Sequence, residues 1–177
     1  MIVYLIRHTK PNCPDGICYG QTDLDLSTDY EKDFLAIRKE LDTVKFDGIY
    51  SSPLKRCSLL SEFIADGRVV QYDDRLKELN FGLWEMKSWE EIETTKEVKE
   101  WYKDYVHARV PEGESYIDLI DRVKSFVQDL DTTSNNTIAI VCHSAVIRAF
   151  HVVLEDVSPK ETFNMKLGYG EVKLLTL

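Results

Sequence analysis

Residues 1–12 read MIVYLIRHTKPN, and the fold turns on what six apolar residues followed by Arg-His-Thr can be. Ile2, Val3, Tyr4, Leu5 and Ile6 are strand formers, and an apolar run of that length without polar alternation reads as a short strand buried on both faces. In open α/β sheets, ligands bind beyond the carboxyl ends of such strands. Arg7 and His8 leave that end side by side, so they are either part of a site or an ordinary surface loop. The rest of the chain has to decide.

Working outward, strand and helix signals alternate, as in a parallel sheet flanked by helices. The turn-rich stretch KPNCPDGICYGQTDLDLS (10–27) leads to a helix expected to start near Ser27 or Thr28. Thr28 and Glu31 have capping-box spacing, and Tyr30, Phe34, Ile37 and Leu41 form one apolar face. DGIYSS (47–52) reads as the second strand, and Pro53 as the first residue of a helix whose inner face is Leu54, Cys57, Leu60 and Ile64. VVQY (69–72) is a third strand. A helix spans 115–131, with Ser115 as N-cap and Tyr116, Ile120, Val123, Val127 and Leu130 inward. TIAIVC (137–142) is the fourth strand and SAVIRAFHVVL (144–154) its helix. Ser-Pro-Lys-Glu at 158–161 predicts another helix start, and EVKLLTL (171–177) a last strand.

A chain of 177 residues is most simply one domain, 1–177, with a sizeable core. The segment 80–114 holds all three tryptophans (Trp84, Trp89, Trp101) with Tyr102 and Tyr105, and is expected to be a helical insertion over the active end of the sheet. The plain alternative is that its aromatics only pack the segment onto the core. With 44% hydrophobic and 30% charged residues, the composition is that of a soluble globular protein. A net charge of −9 argues against nucleic acid as the main partner, yet a local arginine cluster still admits a small anion. The first apolar run is too short for a signal peptide, and no stretch approaches the ~20 apolar residues of a membrane span. The expectation is a cytoplasmic protein with a small-molecule partner, no nucleic acid and no membrane, and a homodimer as a possible assembly. Cys13, Cys18, Cys57 and Cys142 form no C-x-x-C pair; free thiols are expected, with Cys13 and Cys18 close enough in sequence to bridge.

Three strand ends then present polar groups. The first gives Arg7-His8-Thr9, the second SSPLKR (51–56) with Arg56 in the first turn of its helix, and the fourth Cys142-His143-Ser144. A tetrahedral dianion there would meet two guanidinium forks, imidazole and a helix N-terminus, each of which favours phosphate. Two histidines offer two roles, nucleophile and electrophilic clamp.

LIRHT (5–9), SSPLKR, RLKELNFGLWE (75–85) and VCH (141–143) together resemble the histidine phosphatase, or phosphoglycerate mutase-like, superfamily. The likeness spans the chain with the motifs in family order. Within it, GICYGQTDLDL (16–26) and ELNFGLWEM (78–86) are most similar to the alpha-ribazole phosphatase branch, which acts late in cobalamin assembly. The resemblance implies a three-layer α/β/α sandwich with a mostly parallel central sheet. It implies a phosphomonoesterase that needs no metal and no other cofactor. His8 would be the nucleophile that becomes phosphohistidine, its second ring nitrogen donating to a fixed acceptor such as a backbone carbonyl. Arg7, Arg56 and His143 would hold the phosphoryl oxygens. Glu78 would protonate the leaving oxygen and then take a proton from water, with Glu85 as the rival acid. Along the first loop, Asn12, Tyr19, Gln21 and Thr22 would border the substrate, with Tyr19 stacking on a base and Gln21 or Thr22 bonding phosphate or ribose. Turn chemistry alone also explains that loop.

The chain departs from the family pattern at Thr9, at Ser144 and Ala145, where glycines are common, and at Met86, where the family has glycine. Ser144 and Ala145 bring β-carbons close to the phosphate. His107 and His151 match no motif, and His151 reads as structural. The leading substrate is alpha-ribazole 5′-phosphate. The runner-up is a broad sugar-phosphate or phosphoserine phosphatase, a mutase is less favoured, and an inactive phosphate-binding module is the rival from another class.

Overall fold

The structure, a computed structural model, describes residues 1–131 and 136–176. Its centre is a five-stranded sheet in the order β3-β2-β4-β1-β5. The strands are β1 (Ile2–Arg7), β2 (Gly48–Ser51), β3 (Gln71–Tyr72), β4 (Thr137–Cys142) and β5 (Val172–Thr176). All pair in parallel except β5, which runs antiparallel to β1 on the edge. The central strands are apolar throughout because both sheet faces are covered. In β4 the side chains alternate: Ile138, Ile140 and Cys142 enter one core, Ala139 and Val141 the other.

The first core lies under α5 (Tyr116–Gln128) and α6 (Ser144–Glu155), the second under α1 (Tyr30–Glu40) and α2 (Lys55–Ala65). This is the expected three-layer α/β/α sandwich with a mostly parallel sheet. The chain steps from β1 to β2 to β3 through α1 and α2 on one face, then returns through α5 and α6 on the other. Right-handed crossovers require that change of face when the direction of travel reverses. The reversal sets β1 beside β4, and ligands bind at the carboxyl ends flanking such a switch point.

Register decides what emerges there. Arg7 pairs with Cys142, so His8 and His143 are the next residue of two adjacent strands, and the His8 amide donates to the Cys142 carbonyl at 3.0 Å. Ser51 pairs with Val141 on the other side of β4, which brings Ser52 and the start of α2 to the same edge.

Several local expectations are corrected. Helix α1 starts at Tyr30 with Asp29 as N-cap and no side-chain cap bond, so the Thr28–Glu31 box does not form; the Ser27 amide donates instead to the Lys10 carbonyl, tying it to the first loop. Helix α2 starts at Lys55, two residues after Pro53, because Leu54 is still extended. In α5, Phe126 is buried and Val127 only half so, since the larger ring packs edge-on against Tyr50 and Phe150. The third strand shortens to two residues, with Val69 exposed.

The Ser158 start produces one 3-10 turn, Glu161–Asn164. Ser158 does donate its amide to the Glu161 carboxylate at 3.3 Å. The turn ends at Met165, whose backbone is extended at ψ 126°; the Thr162 carbonyl accepts both the Met165 amide and Arg148 Nε, each at 3.1 Å. At the chain's end, Leu177 lies outside the described residues.

The segment 80–114 contains a 3-10 turn at Gly82–Trp84, α3 (Trp89–Glu93) and α4 (Lys96–Lys103). Trp84, Ile92, Val98 and Val110 form a small separate cluster with Cys18 from the first loop. Burying each such side chain contributes about 1.5–3 kcal/mol, so the two loops hold one another. Met86 has a left-handed backbone at φ 62°, which glycine adopts without the methionine β-carbon's strain. All four cysteines are free thiols.

Candidate active site

His8 is 1% exposed, and its Nδ1 lies 2.7 Å from the Thr9 carbonyl. A carbonyl only accepts, so Nδ1 carries the proton and Nε2 keeps its lone pair. Burial, then Arg56 and Arg7, hold the imidazole well below its ordinary pKa against the opposing pull of the Thr9 carbonyl. The His8 ring is therefore a neutral base with one aimed nitrogen.

His143 stands behind it, fully buried at the N-cap of α6, with ring centroids 5.1 Å apart. Its Nε2 is 2.8 Å from Ser52 Oγ and 3.4 Å from Cys57 Sγ. Burial, Arg56 and His8 lower its pKa in turn.

Arg56 is wholly buried: Nη1 donates to the Thr22 carbonyl at 2.9 Å, Nη2 donates to the Gly20 carbonyl, and Nε has no acceptor. Arg7 donates to the Leu167 carbonyl, its buried Nε also lacks an acceptor, and the Tyr169 ring covers its guanidinium at 4.1 Å. Neither arginine is paired with a carboxylate among the described residues. Desolvated cations in that condition call for an anion.

A cavity of about 320 Å³ opens over His8 and Arg7, with Glu78, Ser144 and Arg148 on its wall. Glu78 is 8% exposed and accepts from the Leu79 amide at 3.0 Å, the Ala145 amide at 3.2 Å and Ser144 Oγ at 3.3 Å. The start of α6 thus holds Glu78; the Ala145 amide is not left open to an anion. The outer wall is aromatic, formed by Phe81, Trp89, Trp101, Tyr105 and Phe163, with Tyr19 at the rim. Trp84 is packed inward instead.

Glu85 has a different task. It accepts from the amides of Gly20, Gln21, Thr22 and Phe81 and, at 2.5 Å, from Thr22 Oγ1. Burial raises its carboxyl, but those donors outweigh it and hold the pKa below the usual range. Glu85 therefore pins the loop whose carbonyls orient Arg56. The loop passes so near that a β-carbon on Gly20 would sit 1.9 Å from the Leu79 carbonyl oxygen. Replacing Glu85 by Gln presents an N–H to these donors, and the expected loss is about 2–3 kcal/mol at pH 7. Because the folded pKa is depressed, the parent's advantage is present above the ordinary carboxylate pKa and lost as pH falls through the folded value. Urea melts at pH 7 and in acid check both points; equal stability at pH 7 refutes the pinning role.

Of the other candidates, Tyr19 reaches the cavity and its hydroxyl is 2.8 Å from that of Tyr169. Burial and that hydroxyl push the Tyr19 pKa up. Gln21 Nε2 donates to the Glu78 carbonyl and Thr22 Oγ1 to Glu85, so these side chains brace the loop rather than face the cavity. Asn12 is exposed and outside the lining, its amide bonded to the Asp25 carbonyl. His107 and His151 pair with Asp104 and Glu155. Among the described residues, no three His, Cys, Asp or Glu side chains gather to hold a metal. No helix among the described residues is long and apolar enough to cross a membrane.

Sequence reasoning did not single out Ser52, Arg148 or Tyr169. Arg148 was within reach: it lies one turn from Ser144 on α6, so the two share a face. Tyr169 carries no such signal, because only the fold sets the turn between Gly168 and Gly170 over Arg7.

The chain is similar to several known proteins. Phosphoserine phosphatase 1 of Hydrogenobacter thermophilus is 30% identical over 156 residues, covering 85% of this chain and 74% of its own. The alpha-ribazole phosphatase of Shigella flexneri superposes with a TM-score of 0.91 at 23% identity, over 100% of this chain and 91% of that one. The Entamoeba histolytica phosphoserine phosphatase, solved with 3-phosphoglyceric acid, gives 0.85 at 25% identity, over 98% and 89%. The family model of the histidine phosphatase superfamily, branch 1, matches residues 3–177, and the chain belongs to that superfamily.

Proposed function

We propose that the protein is a metal-independent phosphomonoesterase working through a phosphohistidine at His8. The carrying observation is a neutral, aimed imidazole between the half-buried Arg7 and the wholly buried Arg56, each with a buried Nε that lacks an acceptor and with no carboxylate partner among the described residues. Nε2 attacks phosphorus, and the bond from phosphorus to the ester oxygen breaks. Glu78, protonated, gives its proton to the departing alkoxide and is left as carboxylate. That carboxylate then takes a proton from water while the water oxygen bonds phosphorus and the N–P bond breaks. Phosphate leaves with His8 neutral and Glu78 protonated again. Arg7 and Arg56 stabilise the charge spread over the transferring group, where most phosphoryl-transfer catalysis lies.

The leading substrate is alpha-ribazole 5′-phosphate. Trp89, Trp101, Tyr105 and Phe163 offer flat apolar surface to a leaving group with an aromatic base, and such stacking adds to the area it buries. A second reading has its own observation. Arg148 lines the same cavity, donates only to the Thr162 and Met165 carbonyls, and has no carboxylate partner among the described residues. A phosphorylated hydroxy acid such as phosphoserine, for which two of the proteins named above are named, would supply one.

The test is phosphate release from alpha-ribazole 5′-phosphate, phosphoserine, 3-phosphoglycerate, fructose phosphates and p-nitrophenyl phosphate in EDTA. The expected kcat/KM for alpha-ribazole phosphate exceeds that for phosphoserine by about 10²-fold. A preference for phosphoserine that collapses in Arg148→Met would replace the first reading by the second. No release from any ester would leave a phosphate-binding module, and strict dependence on added metal would overturn the scheme.

A further inference from the structure

Glu78 stands on backbone that no regular element controls. Residues 77–81 lie between the 3-10 turns Asp74–Leu76 and Gly82–Trp84, and Lys77 is already extended at ψ 154°. The two sides of this stretch are nevertheless held by one buried ion pair. Arg122, on α5, donates Nη1 to the Arg75 carbonyl at 2.6 Å and Nη2 to the Glu78 carbonyl at 2.9 Å. Its Nε and Nη2 also meet the two carboxylate oxygens of Glu114 at 2.9 and 3.1 Å. Glu114 in turn accepts the Asn80 amide at 2.9 Å, and its own amide returns a bond to the Asn80 carbonyl at 2.9 Å. The approach is close enough that a β-carbon on Gly113 would lie 2.3 Å from the Asn80 carbonyl oxygen. Both side chains are largely buried, at 16% and 19% exposure.

We infer that the Arg122–Glu114 pair is a positioning clamp for the acid: it holds the backbone at 75, 78 and 80 so that the Glu78 carboxyl meets the leaving oxygen. The pair does not line the cavity, and its hydrogen bonds reach the site through the backbone that carries Glu78. An arginine suits the task because its planar fork serves two carbonyls and a carboxylate together, which a lysine ammonium cannot. The inference rests on the proposed role of Glu78.

Leaving-group chemistry separates a clamp from a merely structural pair. Phosphoenzyme formation from p-nitrophenyl phosphate expels an acidic phenol that needs little protonation, whereas p-nitrobenzyl phosphate expels an alkoxide that depends on the acid. The experiment compares first-turnover phosphoenzyme formation from the two esters, trapped in alkali, in the full-length parent, Glu78→Gln, Glu114→Gln and Arg122→Lys. Glu78→Gln should raise the ratio of the nitrophenyl to the nitrobenzyl rate by about 10²-fold or more. Glu114→Gln and Arg122→Lys should each raise it by about 10-fold or more, since a misplacement of an ångström can cost that much and more. If Glu78→Gln raises the ratio while the clamp variants leave it at the parent value, the clamp is overturned and the acid stands. If Glu78→Gln itself leaves the ratio unchanged, the acid assignment fails and the clamp falls with it. Two variants guard against misfolding: Glu114→Gln keeps the shape of the pair, and Arg122→Lys keeps its charge.

Discussion

Replacing His8 by alanine should lower phosphate release by at least ~10⁴-fold for every ester, because it removes the neutral imidazole that takes the phosphoryl group in this scheme. Cys18 also lines the cavity, but burial pushes that thiol up to about 12, far from the thiolate that attacks. The intermediate gives the sharper readout. Protein quenched in alkali during turnover should carry a phosphoryl label that acid removes, and His8→Ala should carry none. A label stable to acid but lost in mild alkali would mean a phosphoserine and refute the scheme. The pH dependence follows in sign. His8 and His143 are held neutral well below the ordinary histidine pKa, so the acid limb of kcat/KM due to His8 should lie below about pH 6.5. The same shifts bear on stability. Above that pH both folded and unfolded chains keep these rings neutral; below it the unfolded chain binds protons first, so the fold weakens as pH falls.

Arg56→Ala should produce the second largest effect, a fall in kcat/KM of about 10³–10⁵-fold, the range for an arginine that stabilises a transferring phosphoryl group. The buried guanidinium also donates to the Gly20 and Thr22 carbonyls, so alanine leaves both acceptors unsatisfied and should destabilise the fold by about 1–3 kcal/mol for each. Arg56→Lys separates the two roles. Its ammonium restores the charge but cannot serve two carbonyls and a phosphoryl oxygen in one plane, so urea stability should recover more than turnover does. Inhibition by orthophosphate reads the anion site directly, and it should weaken in both variants. An Arg56→Ala enzyme within tenfold of the parent would remove Arg56 from the phosphoryl pocket.

The competition between Glu78 and Glu85 shows where sequence reading reaches its limit. Both are acids in one motif, seven residues apart, and nothing local ranks them. The tertiary structure separates them through their partners: Glu85 is enclosed by the amides of a loop more than sixty residues away, while Glu78 faces the cavity beside His8. The resemblance implies Gln21 and Thr22 as substrate neighbours, and the same long-range contacts turn their polar groups inward.

By itself the sequence determined the alternation of strands and helices, the inner faces of α2 and most of α5, and the strand ends that carry Arg7, His8, Arg56 and His143. Those features follow from side-chain period, burial and short motifs, which act over a few residues. Only the tertiary structure decided which acid faces the nucleophile, how the arginines are left without counter-ions, and which aromatics wall the cavity. These depend on competition for donors and acceptors between segments far apart in the chain, and its outcome is set only once the register of β1, β4 and β2 has brought them together.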